Sequence, residues 1–352
     1  MRLHKFIFLM ETAELDYQLP AEFIAQTPLE PRDSSRLMYL PRSGEFATNH
    51  NFTDLLYLLR AGDLLVFNDT RVLAARVAAR KQTGGKVELL LLRALGARQW
   101  IVLAGGRGVA VGSVLELAGG DKPVHARVVQ ALQASARVVE FSAPVETWLE
   151  SLGRVPLPPY IHAPLRDPER YQTVYARHAG SAAAPTAGLH FTPALLDKLL
   201  QCGIDAAYVT LHVGLDTFQP ISAGAVDAHS IHSEWCKLSA ETAAKIAATR
   251  AAGGRVVAVG TTSARVIESA AAACAGSVRE FEGETRLFVK PGFEYRAVDG
   301  LITNFHLPRS TLLLMVAAFL GKAGLPRLLQ AYTAAMQGGY RFYSFGDAML
   351  IV

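Results

Sequence analysis

The stretch Asp63–Arg71, DLLVFNDTR, decides how this chain is read. Its first five residues, 63–67, carry the short apolar run Leu64–Phe67 after Gly62 and Asp63, which reads as a buried strand. The strand then delivers Asn68, Asp69, Thr70 and Arg71 at its C-terminal end, and four polar side chains there make a turn or a site. Upstream, Phe52–Leu59 has helical spacing with Asp54 in the first turn, and Gly62 stops it. Downstream of Arg71 the texture changes.

From Arg71 onward the runs 72–78, 86–92, 99–103, 114–117, 125–129 and 136–141 are short and strand-like. Gly84-Gly85, Gly105-Gly106 and Gly119-Gly120 punctuate them. Short strands with turn signals and no helix predict a small antiparallel barrel. We place it at residues 67–148, inserted into a larger domain made of 1–66 and 149–352. Arg71, Arg76, Arg80, Lys81 and Lys86 have no acid among the residues between them, a basic track suited to phosphates or simply the wet face of alternating strands.

Beyond residue 192, α and β segments alternate. Helices are expected at 193–201, 239–252 and 328–336, and after Ser310. Strands are expected at 206–211, 235–238, 255–259, 287–289, 301–305 and 340–345. The fold class is therefore α/β, with an open α/β-barrel-like main domain and the inserted barrel. Polar residues recur at strand C-termini: Asn68/Asp69, His212, Thr261/Thr262 and Asn304/His306. Open α/β sheets bind ligands at that edge. No G-x-G-x-x-G or phosphate-loop pattern follows any of these strands, so dinucleotide binding is not indicated.

Gly180–Thr192, GSAAAPTAGLHFT, is a small-residue loop that delivers His190 and ends in a helix start, Thr192 as cap and Pro193 at the first helical position. Its small residues let backbone approach backbone or a ligand. Tyr171, Gln172, Thr173 and Tyr175 are polar residues placed just before it. Arg32, Ser34, Ser35 and Arg36 cluster before the strand at 37–40 and suit a phosphate or carboxylate. His190, His212 and His306 are side chains fit to move protons near neutral pH. His229-x-x-His232-x-Glu234 is a permissive zinc spacing and supports the alternative of a metal-dependent hydrolase or lyase. Gly260-Thr-Thr-Ser263, between a strand and a helix, suits an anion, or Ser263 is an ordinary cap.

Composition bounds these readings. Of 352 residues, 51% are apolar and 19% charged, which suits a globular protein with a sizeable core. The net charge of +4 neither demands nor excludes nucleic acid. Three widely spaced cysteines make no disulfide framework and fit a reducing compartment. The apolar runs are too short for a membrane span. We therefore expect a cytoplasmic protein without membrane contact, with residues 1–12 a loose extension and Met10 an alternative start to Met1.

Taken together, many stretches resemble one family, the S-adenosylmethionine:tRNA ribosyltransferase-isomerases of queuosine biosynthesis. They are DYQLP (16–20), IAQ (24–26), RDSSRL (32–37), GDLLVFNDTR (62–71), GGKVELLL (84–91), GRVPLPPYI (153–161), residues 171–192, VTLHVG (209–214), HSIHSE (229–234), VAVGTTSAR (257–265), LITNFHLPRST (301–311) and YRFYSFGDAMLI (340–351). The chain departs where the family usually reads G-x-G-T-F: here it is Gly214-Leu215-Asp216-Thr217-Phe218. A tRNA- or nucleoside-binding protein made inactive by Asp216 is the non-catalytic alternative.

The resemblance implies transfer and isomerisation of the ribosyl moiety of S-adenosylmethionine onto 7-aminomethyl-7-deazaguanine at the tRNA wobble position, giving epoxyqueuosine-tRNA, adenine and methionine. It implies no metal and no cofactor beyond S-adenosylmethionine as ribosyl donor. The partner is tRNA with a GUN anticodon, and a monomer is expected. The expected acid/base residues are His190, His212, His306 and Asp69. Thr261, Thr262 and Arg265 are expected to hold the methionine carboxylate, with Tyr171, Thr173, Thr186, Gly188 and Asn304 around the nucleoside. Arg36, Arg71, Arg76, Arg80, Lys81, Lys86 and Arg341 are expected to meet tRNA.

Overall fold

A computed structural model describes residues 10–44, 46–119, 123–132, 135–214 and 220–352. The chain divides into two compact units: residues 1–70, 159–178 and 184–352, and residues 71–158 with 179–183. The sequence bounds for the insertion were 67–148. Segment 149–158 and the small residues 179–183 cluster with the second unit instead.

The first unit is built on a nine-stranded mixed sheet. Its order is Phe281–Thr285, Glu234–Leu238, Asp205–Leu211, Leu64–Asn68, Val256–Val259, Gly300–Asn304, Ala348–Ile351, Arg36–Leu40 and Thr48–Asn51. Asp205–Leu211, Leu64–Asn68, Val256–Val259 and Gly300–Asn304 run parallel. Leu64–Asn68, Val256–Val259 and Gly300–Asn304 are buried along their whole length, as strands covered on both faces must be. The outer strands Phe281–Thr285 and Thr48–Asn51 are mostly polar and exposed, which suits sheet edges.

Helix Pro193–Gln201 starts where Thr192 Oγ1 accepts the Leu195 N–H at 3.1 Å. It packs Leu195 and Leu199 with Phe67, Phe191 and Val257 in one core cluster. Ser239 and Ser310 cap Ala240–Ala251 and Thr311–Phe319 in the same way.

Four sequence expectations are corrected. Tyr340–Phe345 is not a strand; the last strand is Ala348–Ile351. Residues 287–289 are not a strand; the edge strand is Phe281–Thr285. Ser263 is no cap: it is buried inside helix Thr261–Ala273, where its Oγ donates to Val259 O at 2.8 Å, and Gly260 is the cap. Gly260 has φ of 90°, a conformation a side chain would strain. Finally, Met10–Thr12 is not loose. Thr12 is buried, its N–H reaches Gly224 O at 2.9 Å, and Met10 O accepts the Val226 N–H. Residues 1–9 lie outside the described residues.

The second unit contains a closed six-stranded antiparallel barrel: Arg76–Lys81, Lys86–Ala94, Gln99–Gly105, Ala136–Phe141, His125–Ala131 and Val114–Leu117. Closure comes from the register Ala79↔Leu117, Arg80↔Glu116 and Lys81↔Leu115. Val77, Ala79, Leu89, Val102, Leu115 and Val139 fill its interior, following the two-residue period of the strands.

Folding also changes the basic track. Arg80 lies opposite Lys86 on one neighbouring strand and Glu116 on the other. Arg76 Nη1 is 3.6 Å from Glu88, and Lys81 Nζ bonds the carbonyls of Arg107 and Gly108. Arg71 lies on an adjoining short strand and is half-buried. The track that is acid-free along the chain is therefore interleaved with carboxylates in space.

Candidate functional site

Four parallel strands end at one edge of the main sheet, and each hands a polar residue to it: Asn68, the His212 loop, Thr261 and Asn304. Ala348–Ile351 and Arg36–Leu40 run the other way, so their first residues reach the same edge. A cleft opens there, with about 610 Å³ of empty space that includes open solvent. Thr186, Thr261, Thr262, Asn304 and His306 line it. Tyr160, Tyr343, Ser344, Ser310 and Leu312 line it too, and sequence reasoning missed them. Tyr160 and Tyr343 have ring centroids 4.7 Å apart, and the Tyr160 hydroxyl bonds Ser344 Oγ at 2.8 Å. Tyr343 has φ of 70°, strained for a bulky residue and a mark of functional positions.

Gly188, Tyr171 and Thr173 are not on the cleft wall. They back it. Residues 186–190 form a single-turn helix, and Gly188 lies so close to Tyr175 that an added Cβ would fall 2.0 Å from its hydroxyl. Tyr171 is wholly buried against Phe345. The close approach expected of the small-residue loop is made by protein against protein.

His190 is held from both sides. Asn304 Nδ2 donates to its Nε2 at 3.1 Å, so the proton sits on Nδ1, which donates to Ser35 Oγ at 2.8 Å. Asn304 Oδ1 accepts the Thr186 hydroxyl at 2.8 Å. Burial, with Arg341 nearby, pushes His190 down to about 3, so the ring is neutral. Both nitrogens are engaged, and the chain Ser35–His190–Asn304–Thr186 ends at the cleft. His190 itself lines a smaller neighbouring cavity.

His306 lies on the cleft. Burial pushes it down to about 3. Its Nε2 meets Thr303 Oγ1 at 2.8 Å, its N–H donates to Tyr332 Oη at 2.9 Å, and its carbonyl accepts the Tyr17 hydroxyl. His212 and Asp69 sit at the ends of the neighbouring strands, off the cleft wall. His212 stacks on Trp235 at 5.0 Å, its Nδ1 meets Thr70 Oγ1 at 2.8 Å, and burial lowers its proton affinity. Asp69 is buried, accepts the Thr210 hydroxyl at 2.7 Å and lies 3.6 Å from His178 Nε2. Burial raises its pKa, with Thr210 and His178 opposing.

A second cavity, with about 580 Å³ of empty space, shares Thr261, Thr262 and Leu312 with the cleft. Thr262 Oγ1 is buried and has no hydrogen-bond partner among the described residues, so it is open to a polar ligand atom. Phe288 and Met315 add apolar wall. Arg265 is not free to grip a carboxylate as expected: it is ion-paired with buried Glu234 and donates to the carbonyls of His232, Thr285 and Leu287. Glu234 also takes the Gly214 N–H at 2.8 Å. His229, His232 and Glu234 line this cavity, yet no three His, Cys, Asp or Glu side chains converge at metal-binding distance among the described residues. Asp216 lies outside the described residues. Arg36 donates to Gly338 O and Gly339 O, closing a helix end, whereas Arg341 lines the smaller cavity. Among the described residues no single helix is long and apolar enough to cross a membrane.

Residues 12–351 match the family model described as queuosine biosynthesis protein. An S-adenosylmethionine:tRNA ribosyltransferase-isomerase of Moorella thermoacetica is 50% identical over 97% of this chain and 100% of its own. One from Thermosynechococcus vestitus is 49% identical over 96% of this chain and 94% of its own. The crystal structure of an S-adenosylmethionine tRNA ribosyltransferase from Thermotoga maritima is 37% identical, with a TM-score of 0.56 over 96% of this chain and 100% of that one.

Proposed function

Because the chain belongs to the family of queuosine biosynthesis proteins, we propose that it is an S-adenosylmethionine:tRNA ribosyltransferase-isomerase. It transfers and isomerises the ribosyl moiety of S-adenosylmethionine onto 7-aminomethyl-7-deazaguanine at the wobble position of tRNA. The products are epoxyqueuosine-tRNA, adenine and methionine. The observation that carries this reading is identity of about half with relatives of that name along nearly the whole chain. The cleft at the ends of the parallel strands supports it, because that edge is where such sheets take ligands. The tRNAs are those with a GUN anticodon, and the protein works as a cytoplasmic monomer. S-adenosylmethionine is a consumed substrate, with no further cofactor.

The chemistry needs three proton events. The sulfonium acidifies the C5′ hydrogens, and a base removes one. Adenine leaves, helped by an acid. The attacking amine must be neutral. We assign the nucleoside to the cleft, against Tyr160 and Tyr343, whose faces offer stacking area. The methionine end extends past Thr262 into the second cavity. There Thr261, Thr262 and the N-terminus of helix Thr261–Ala273 receive the carboxylate; Arg265 holds Glu234 instead.

His306 is assigned as the proton acceptor from its place on the cleft wall: burial keeps its imidazole neutral and so able to take a proton, though as a weaker base than a free histidine. For the second transfer the candidates are Asp69, with raised proton affinity, and His212, at the adjoining strand ends off the cleft wall, from where they act on a substrate that reaches beyond it. His190 is a positioning residue that fixes the Asn304 amide and, through it, Thr186. The test is incubation with S-adenosylmethionine and tRNA carrying the 7-aminomethyl base. Adenine release together with a new modified nucleoside is expected; absence of both would sink the reading.

A further inference from the structure

Beside the cleft lies a smaller cavity of about 280 Å³ of empty space, walled among others by Arg32, Arg170, Arg341, Ser35, His190 and Ser344. Ser344 also lines the cleft, and His190 reaches from this cavity to Asn304 in the cleft. Three guanidinium groups in one cavity repel one another. Burial and Arg170 draw Arg32 below the usual arginine range, and burial draws Arg341 down while Asp347 opposes it.

The groups are fixed mainly by carbonyls, which orient a charge without cancelling it. Arg32 donates to Gln172 O at 2.6 Å and Glu169 O at 2.8 Å. Arg341 donates to Phe345 O at 2.8 Å and Thr27 O at 3.2 Å. Arg170 donates to Leu29 O and pairs at 3.0 Å with Glu30, a largely exposed carboxylate that does not line the cavity. The carboxylates that offset these charges, Glu30, Asp167 and Glu169 around Arg32 and Asp347 beside Arg341, do not line the cavity, so among the described residues its wall presents three guanidinium groups and no acid. Arginine forks match the oxygens of a phosphate in pairs.

We propose that this cavity binds a phosphodiester of the tRNA backbone, next to the nucleotide whose amine enters the cleft. The proposal rests on the reaction assigned above and names the part of tRNA that this surface takes. The methionine carboxylate is the competing anion, but the methionine end is assigned to the cavity beyond Thr261 and Thr262, which adjoins the cleft through residues absent from the arginine cavity.

The test measures tRNA affinity of the full chain without S-adenosylmethionine at several potassium chloride concentrations. Arg32→Gln and Arg170→Gln are compared with the wild type, and thermal melts establish folding. Each variant should bind tRNA about tenfold more weakly, with the salt slope reduced by about 1. The KM for S-adenosylmethionine should stay unchanged. Unaltered tRNA affinity and slope in folded variants overturns the proposal. So does a raised KM for S-adenosylmethionine with unaltered tRNA binding, which would place the carboxylate here. If the variants do not fold, inorganic phosphate is titrated against the wild type with ionic strength held constant by chloride. Competition with tRNA is expected, and its absence overturns the proposal. A wild type that binds tRNA but releases no adenine would refute the reaction instead, so the two failures are distinct.

Discussion

In the nine-stranded sheet, polar side chains are buried at strand ends; in the six-stranded barrel, charged side chains stand outward along strand interiors. The difference follows from topology. Four parallel strands finish at one edge, so residues far apart in sequence, such as Asn68 and Asn304, collect there, Asn68 bonding Leu211 and Asn304 bonding His190 and Thr186. Antiparallel barrel strands alternate in direction, and their outward charges interleave: Arg80 faces Glu116, and Arg76 approaches Glu88. Changes at the sheet edge should therefore alter turnover, whereas changes on the barrel should alter only how tRNA is held.

His306→Ala tests the first half most strongly. Loss of a positioned base costs about 10² to 10⁴ in kcat, with tRNA affinity unchanged. Because His306 is held near 3, the wild-type kcat/KM should show no break at the usual histidine pKa arising from this residue. A loss confined to tRNA affinity would remove His306 from the chemistry.

Asp69→Asn sharpens the assignment at the neighbouring strand ends. Its carboxyl holds its proton to a higher pH than an ordinary aspartate. As the acid of the second transfer it works protonated, so activity should fall as pH rises through its raised pKa, and the variant should lose that alkaline limb of the profile. An unchanged limb would assign it elsewhere.

His190→Gln tests the buried post. With a folded pKa near 3 against about 6.5 unfolded, the unfolded chain binds the extra proton. Stability is then fully present above about 6.5 and lost as pH falls toward 3. Denaturant titrations of the variant should show a weaker decline over that window; an equal decline would mean that His190 is already charged.

The smallest effect belongs to the barrel. Arg80→Ala or Lys86→Ala should weaken tRNA binding by about fivefold or less, the scale of exposed charges, and leave turnover at saturating tRNA unaltered.

What could be read in advance follows the same division. Helix Pro193–Gln201 was legible to the residue because Thr192, Pro193 and Gly203 mark both ends locally. The barrel was legible because alternation and glycine turns are local signals. The edge strand Phe281–Thr285, FEGET, was not: glutamate and glycine disfavour strands, and only pairing with Glu234–Leu238 makes it one. Tyr340–Phe345 alternates like a strand, but Asp347 accepts the N–H groups of Arg36 and Arg341, and Tyr343 turns to positive φ.

At the site, residue types at strand ends were legible, whereas partners were not. Ser35 and Asn304 lie 155 and 114 positions from His190, and no local pattern announces either bond. Arg265 looked available because Glu234, which occupies it, is 31 residues away.

The most direct measurement is single-turnover adenine release by Asn304→Ala, with tRNA affinity determined on the same samples. Asn304 joins the buried chain from Ser35 to the cleft wall, and misplacing such a group costs about 10²-fold. The account predicts a loss of that order with tRNA binding intact. Wild-type release, or equal losses of release and tRNA binding, would contradict the placement of the reaction at the ends of the parallel strands.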